Sequence, residues 1–453
     1  MASTTIARSL AAFAVGARAE AMSREACEAL KVRILDALAC ALGAKDADPV
    51  RRVRRYLDVV GGRGACTLIG GGRTSADRAA FYNGARVRYL DFNDSYLAPL
   101  ETCHPSDNLA PVLAAAELAG ADGRTLLAAL AVAYQVQCRL SDEAPVRAKG
   151  FDHTVQLVYA AAAGASRALG LDVDATANAI AIAGTAFNAL RVTRTGALSH
   201  WKGLAAPNAA FGAVHAVLLA REGITGPPEV FEGNKGFSHS IAGPFTVDWA
   251  REDLERVRDT VVKRYDAEVH SQSALEALSA LRERIDPRRI ERVEIETFDV
   301  ARAIIGGGEE GDKTTVATRE QADHSLPYLA AVMLLDGEVT PRQYAPERIA
   351  ADDVQTLLRK VRVVEKPELS ARFPREMPAR VRVVTSDGAE HTEERRDYRG
   401  WRTRPATWED VRAKLDLLAP KVDAPLREEL AALVRGLEHA RVADLCVLLA
   451  RMP

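Results

Sequence analysis

Cysteine is scarce in this chain and never closely paired: Cys27, Cys40, Cys66, Cys103, Cys138 and Cys446 are six among 453 residues, with no Cys-x-x-Cys. That excludes a zinc ribbon and a disulfide framework, and it speaks against an iron–sulfur cluster, which needs several thiolates at short spacing. Charge of one sign is lacking too. Sixty basic and 62 acidic residues leave a formal net charge of −2, so a global basic surface for nucleic acid is not indicated. No run of about eighteen consecutive apolar residues occurs, and no membrane-spanning segment is expected. Residues 10–17 are apolar like the middle of a short signal sequence, but only Arg8 precedes them, and Arg18, Glu20, Arg24 and Glu25 continue in helical style. A cytoplasmic protein with no membrane partner is therefore expected. The glycine clusters at 61–64 and 70–73 fit neither a Walker loop nor Gly-x-Gly-x-x-Gly between strand and helix, and His-Glu-x-x-His is absent.

Aromatic residues make up only 6% of the chain, so small and aliphatic side chains have to fill the interior. They do so in helical patterns. Residues 5–44 read as two amphipathic helices, the second from Glu25 to Ala44 with Leu30, Ile34, Leu38 and Leu42 at helical spacing and Gly43 suited to its end. Residues 109–119, 123–141, 153–170, 172–190 and 204–222 continue the series. Period-two alternation first appears at 289–298 and again at 379–385, with Asp387-Gly388 as the turn behind it and a helix after Pro327 in between. Helical periodicity returns at 408–418, 426–437 and 442–449. The expected fold is mainly α: a large all-helical domain from both chain ends, residues 1–266 and 405–453, with a smaller α+β lid domain inserted at 267–404.

Chemistry-bearing residues gather at the joints. Residues 86–108 hold Asp91, Asn93, Asp94, Ser95 and His104 in a polar loop between two apolar segments. A carboxylate and an imidazole on one loop can converge on a small ligand and share proton transfer. The blander alternative is that Asp91 and Asp94 cap a turn while His104 satisfies a core carbonyl. Asp107 or Asn108 is the natural N-cap of the next helix, which sets His104 before a helix N-terminus, where an anion is favoured and a protonated imidazole is not. His153 stands at another helix entrance. The joint at 191–203 collects Arg191, Thr193, Arg194, Thr195, Ser199 and Lys202, and a lysine in a first helical turn opposes the dipole unless an anion binds there. The joint at 262–273 adds Lys263 and His270, and the inserted segment adds Tyr328. Cations and helix N-termini suit a polycarboxylate, while carboxylate and imidazole suit proton removal and delivery. A lyase acting on a hydroxy di- or tricarboxylic acid needs this set. The run from Asp91 to Tyr96 starts like an EF-hand loop, but Tyr96 stands where glycine is needed and Thr102 where the bidentate acid belongs; no metal is expected, a Mg²⁺ site at Asp91 and Asp94 being the remaining alternative.

Six ordered motifs carry a resemblance: Leu90-Asp-Phe-Asn-Asp-Ser95, His104-Pro-Ser-Asp-Asn108, Ser199-His-Trp-Lys-Gly203, Glu232-Gly-Asn-Lys-Gly236, Lys263-Arg-Tyr-Asp-Ala-Glu-Val-His-Ser-Gln272 and Asp323-His-Ser-Leu-Pro-Tyr328. Together they resemble the MmgE/PrpD family, which includes 2-methylcitrate dehydratases, cis-aconitate decarboxylase and iminodisuccinate epimerase. The resemblance implies a homodimer that works without metal, iron–sulfur cluster or other cofactor on a small polycarboxylate. It places the family's active-site aspartate, histidine and lysine on Asp91, His104 and Lys202, with Ser95, His153 and Lys263 at neighbouring pocket positions. Thr193, Arg194, Tyr265, Glu268, His270 and Tyr328 complete the expected substrate-binding set. Glu268-Val-His270 looks more like the dehydratases, whereas Asp266 stands where the family usually has proline. The implied reaction is dehydration of 2-methylcitrate, with citrate as a second candidate, to give 2-methyl-cis-aconitate in propionate catabolism. Lys202 and Lys263 would hold carboxylates, and Asp91 and His104 would divide the base and acid roles. Alternatives are another small-acid enzyme of the family, a decarboxylase or epimerase, and, from a different class, a non-catalytic organic-anion-binding protein.

Overall fold

Helix Arg24–Gly43 lies at the centre of the fold, started by Ser23, whose hydroxyl accepts the Ala26 N–H at 3.0 Å. One apolar stripe was the expectation, but every residue from Leu30 to Leu42 is buried, because other elements cover the helix all round. Its charged residues are partnered: Arg33 donates to Thr260 Oγ1 at 2.9 Å, Lys31 to Glu28 and Glu438 at 2.9 Å, and Asp36 accepts from Lys414 at 2.6 Å. An unpaired charge there would cost about 3–5 kcal/mol. Gly43 is not the cap, which is Ala44. It serves close packing, since a Cβ at this position would sit 3.0 Å from Leu90 Cδ1 and 3.1 Å from Leu418 Cβ.

The structure, a computed structural model, describes residues 5–452 and is 58% helical with only small sheets, the mainly α class expected. One core joins helices Ile6–Gly16, Gly123–Glu143, Thr154–Leu169 and Trp201–Arg221 with the chain's last helices, Trp408–Leu418, Ala424–Arg435 and Val442–Ala450. Small residues let these helices approach: a Cβ on Gly164 would lie 2.9 Å from the Ala129 carbonyl oxygen. Leu10, Ala11 and Ala14 are fully buried in this core. Among the described residues one helix, Trp201–Arg221, is long and apolar enough to cross a membrane, and 67% of that window is buried inside the protein.

A second core, from Tyr265 to Val383, packs helices Gln272–Arg282 and Leu326–Asp336 on a four-stranded sheet. Strand Ile290–Thr297 is central. It pairs in parallel with Val361–Glu365 and antiparallel with Ala379–Thr385, which pairs antiparallel with Glu390–Arg395. Val293 lies opposite Val383 and Ile295 opposite Val381, the buried half of the alternation. A third cluster, including Leu97, Val261, Val269, Phe298 and Trp401, lies where the two cores meet.

Candidate active site

Helix Ala76–Arg88 delivers the chain to Asp91, a non-glycine residue at φ +55°. A side chain in the left-handed region is held there by its surroundings. Three hydrogen bonds from two side chains do the holding. Lys263 donates to the Asp91 backbone carbonyl at 2.6 Å and to Oδ1 at 2.8 Å, and Arg88 donates to the same Oδ1 at 2.8 Å. Burial would raise the Asp91 carboxyl, but the charges of Arg88, Lys263, His324 and Lys202 outweigh it and hold the group well below the usual carboxylate range. Behind the loop, Ser95 and Val261 exchange both backbone hydrogen bonds, at 2.9 and 2.7 Å. Asp94 accepts from the Ser106 N–H and the Tyr134 hydroxyl, both at 2.9 Å.

His104 is oriented by this loop. Its Nδ1 lies 2.8 Å from the Asp94 carbonyl oxygen and 3.2 Å from Ser95 Oγ. A carbonyl only accepts, so Nδ1 carries the proton and Nε2 keeps its lone pair. Burial, and then Arg88 and Lys263, hold this imidazole well below the ordinary histidine value. The bland and functional readings are therefore compatible: one ring nitrogen satisfies a core carbonyl while the ring lines a cleft. Asp107 and Asn108 do not cap the next helix with their side chains. Asp107 accepts from Asn93 at 3.0 Å and Asn108 donates to Gln137 at 2.6 Å, while the short turn Pro105–Asn108 leads into helix Leu109–Ala119.

The cleft, about 480 Å³ out to its mouth, lies between the helical body and the inserted segment and is walled by Asp91, His104, His153, Arg194, Glu268, His270 and His324. Four of the chain's nine histidines thus face one space. His104 and His153 meet edge to face with centroids 5.3 Å apart. Burial lowers His153 to about 3. Burial would raise the Glu268 carboxyl, but the His270 ring, its Nδ1 2.7 Å from Oε1, outweighs that and brings the group down to about 2. A smaller hollow adjoins across Arg88, Asp91 and Arg194 and contains Lys202 and Asp323. There Lys202 Nζ bonds to Asp323 and lies 2.9 Å from His324 Nδ1.

Of the expected residues, Asp91, His104, His153, Arg194, Lys202, Glu268 and His270 line these two adjoining spaces. Ser95 stands just behind, on His104. Four do not reach the cavity walls. Lys263 is only 1% exposed and is spent on Asp91. Tyr265 packs into the second core. Tyr328 is fully buried there, its hydroxyl on the Gln343 carbonyl. Thr193 is half-buried and lines neither space. Arg194 lines both, but its guanidinium is paired with Asp152 at 2.8 Å. Sequence reasoning misses Arg88, Asp323 and His324; the last two begin the motif that ends in Tyr328. Asp266, at the family's proline position, is buried and pairs with Arg319 at 3.2 Å.

Ligand atoms of Asp91, Asp323 and His324 lie within 4.8 Å of one another, close enough for a metal ion. Lys202 and Lys263 already supply the balancing charge at these carboxylates, so a divalent ion would have to displace an ammonium group.

The chain matches the MmgE/PrpD N-terminal domain over residues 8–250 and the MmgE/PrpD C-terminal domain over residues 265–438, and it belongs to that family. It is 31% identical over 318 residues to the 2-methylcitrate dehydratase of Salmonella typhimurium, covering 65% of this chain and 64% of that protein. Against the 2-methylcitrate dehydratase of Cupriavidus necator it is 32% identical, with the same shares covered. The chain thus spans a little under two thirds of the length of these dehydratases. With the mouse cis-aconitate decarboxylase it is 27% identical over 451 residues, 93% of this chain and 88% of that protein.

Proposed function

We propose that this protein is a hydro-lyase that dehydrates 2-methylcitrate, or citrate, to the corresponding cis-aconitate, with a place in propionate catabolism. One observation carries the reading: an imidazole kept neutral and fixed in one tautomer by the Asp94 carbonyl, on the wall of a cleft rich in guanidinium groups, with the Lys202 ammonium in the adjoining hollow. A neutral histidine can take a weakly acidic carbon-bound proton, and the surrounding cations stabilise the charge that develops on the substrate. In this reading His104 is the base. Asp91 stays ionised and orients Arg88 and Lys263, and it does not serve as the acid. The Lys202 ammonium, in contact with His324 and Asp323, delivers the proton to the leaving hydroxide. Likeness to two 2-methylcitrate dehydratases supports the choice of reaction.

A second reading, decarboxylation of cis-aconitate, is favoured by the longer match to the mouse decarboxylase. Pure protein incubated with 2-methylcitrate, citrate, cis-aconitate or iminodisuccinate, with chelator present, separates the readings. New ultraviolet absorbance from a conjugated double bond supports dehydration, carbon dioxide release supports the decarboxylase, and no turnover leaves an organic-anion binder. Turnover lost to chelator would overturn the metal-free reaction. The same reading takes the enzyme as a cytoplasmic homodimer, with the half-exposed Tyr56 and Trp201 as apolar surface for a second copy; light scattering reads the mass.

A further inference from the structure

The cations in and around the inner cleft other than Arg147 and Arg191 are paired with an acid that their own surroundings hold in place: Arg88 and Lys263 with Asp91, Arg194 with Asp152, Lys202 with Asp323. Arg147 and Arg191 differ. Two adjacent turns of the helical body present them side by side, joined by the Phe151–Leu190 bridge and by the Arg191 N–H on the Gly150 carbonyl at 2.9 Å. Among the described residues the only side chain partnering either guanidinium is Glu310, at 2.6 Å from Arg191 and 3.4 Å from Arg147. Glu310 comes from the inserted segment, on a stretch reading Gly306-Gly-Gly-Glu-Glu-Gly311, with Gly307 and Gly311 at φ +85° and +94°. Such a backbone has more conformational freedom than a helix. The second carboxylate oxygen of Glu310 is buried with no hydrogen-bond partner, so the fit is incomplete and half of its acceptor capacity is unused.

Position adds to chemistry. Arg147, Arg191 and Glu310 belong both to the inner cleft with His104 and to a wider outer basin that reaches Leu100, Lys149 and Phe373. An anion entering from the basin meets this pair before it reaches His104. Two guanidiniums facing one carboxylate form a fork suited to carboxylate recognition.

We propose that Arg147 and Arg191 form a carboxylate subsite at the cleft entrance, and that Glu310 occupies it in the free protein as an internal stand-in that a substrate carboxylate displaces. The inference rests on the organic-acid reading above and adds to it a binding site and a ligand class: an acid with one carboxylate more than the inner cleft itself holds.

Calorimetric titration with propane-1,2,3-tricarboxylate, which has no hydroxyl to lose, tests it. Glu310→Gln, nearly the same shape without the charge, is expected to tighten binding about tenfold, and Arg191→Gln to weaken it about tenfold. In the Arg191→Gln background, Glu310→Gln should gain much less, because the two act at one place. Unchanged or weaker binding by Glu310→Gln, with only a lower melting temperature, would make the contact a structural clasp and overturn the subsite while the organic-acid reading stands. Binding of the tricarboxylate by neither the natural protein nor Glu310→Gln would remove that reading and the subsite together.

Discussion

Lys263 Nζ lies 2.6 Å from the backbone carbonyl of Asp91 and 2.8 Å from its Oδ1, so one ammonium group holds both the main chain and the side chain of a residue in left-handed conformation. Lys263→Met removes both contacts and leaves Arg88 as the side chain hydrogen-bonded to the Asp91 carboxylate. A loss of stability toward the low end of about 3–5 kcal/mol is expected, measured by urea unfolding. Asp91→Asn in the same background should recover part of it, because the stranded charge is then gone.

His104→Asn keeps a donor for the Asp94 carbonyl but removes the free ring nitrogen. Turnover should fall by about 10²–10⁴-fold with the melting temperature little changed; full activity in this variant would remove the base assignment. In the natural protein the depressed proton affinity of His104 keeps its imidazole neutral at acid pH. The profile of kcat/KM should therefore show no fall from this group as pH drops through 6.5.

His153 connects pH to stability. Burial sets its folded value at about 3 against 6.5 for an ordinary histidine. Between these values the unfolded chain binds the proton and the folded one does not, so its contribution to stability is complete above 6.5 and is lost as pH falls toward 3. His153→Asn should flatten the decline of unfolding free energy between pH 7.5 and about 5. An unaltered slope would show that the ring is not buried as described.

Lys414 is a positioning residue behind the loop. It donates to Asp36 Oδ1 and the Phe92 carbonyl, each at 2.6 Å, and to the Lys263 carbonyl at 3.3 Å. Lys414→Met should lower kcat more than it raises KM and cost about 3–5 kcal/mol through the stranded Asp36. Asp36→Asn/Lys414→Met should regain stability without regaining kcat. Recovery of both would make the lysine purely structural.

Gly123 tests how the chain's last segment docks. A Cβ here would lie 1.7 Å from the Leu437 carbonyl oxygen, and the Gly123 N–H donates to the Ala440 carbonyl at 2.8 Å. Gly123→Ala should destabilise by at least about 1–3 kcal/mol, with early loss of protection in the last two helices by hydrogen exchange.

Much of this was legible in residue patterns. Helices showed their period, and the polar joints did hold Asp91, His104, His153 and Lys202. Strand Glu390–Arg395 was not legible, because its sequence Glu-His-Thr-Glu-Glu-Arg has no apolar residue to alternate with a polar one. The motif at 323–328 holds both His324 and Tyr328, and its spacing does not tell which of them faces the cleft. Helix Leu326–Asp336 begins between them, so the tyrosine turns into the second core and the histidine stays in the turn that faces the cleft. Lys263 has the right chemistry but faces the back of Asp91, a matter of tertiary placement that spacing does not record. Arg88 ends an ordinary-looking helix, where a cation normally suggests a solvated face.

Synthesis order gives the buried lysine a further meaning. A ribosome must add 322 more residues after Phe92 before Lys414 exists to grip its carbonyl. Until then the nascent loop has its aspartate and histidine but lacks the hand that steadies them, so a chain cut off before its final helices keeps the reacting groups and loses their alignment.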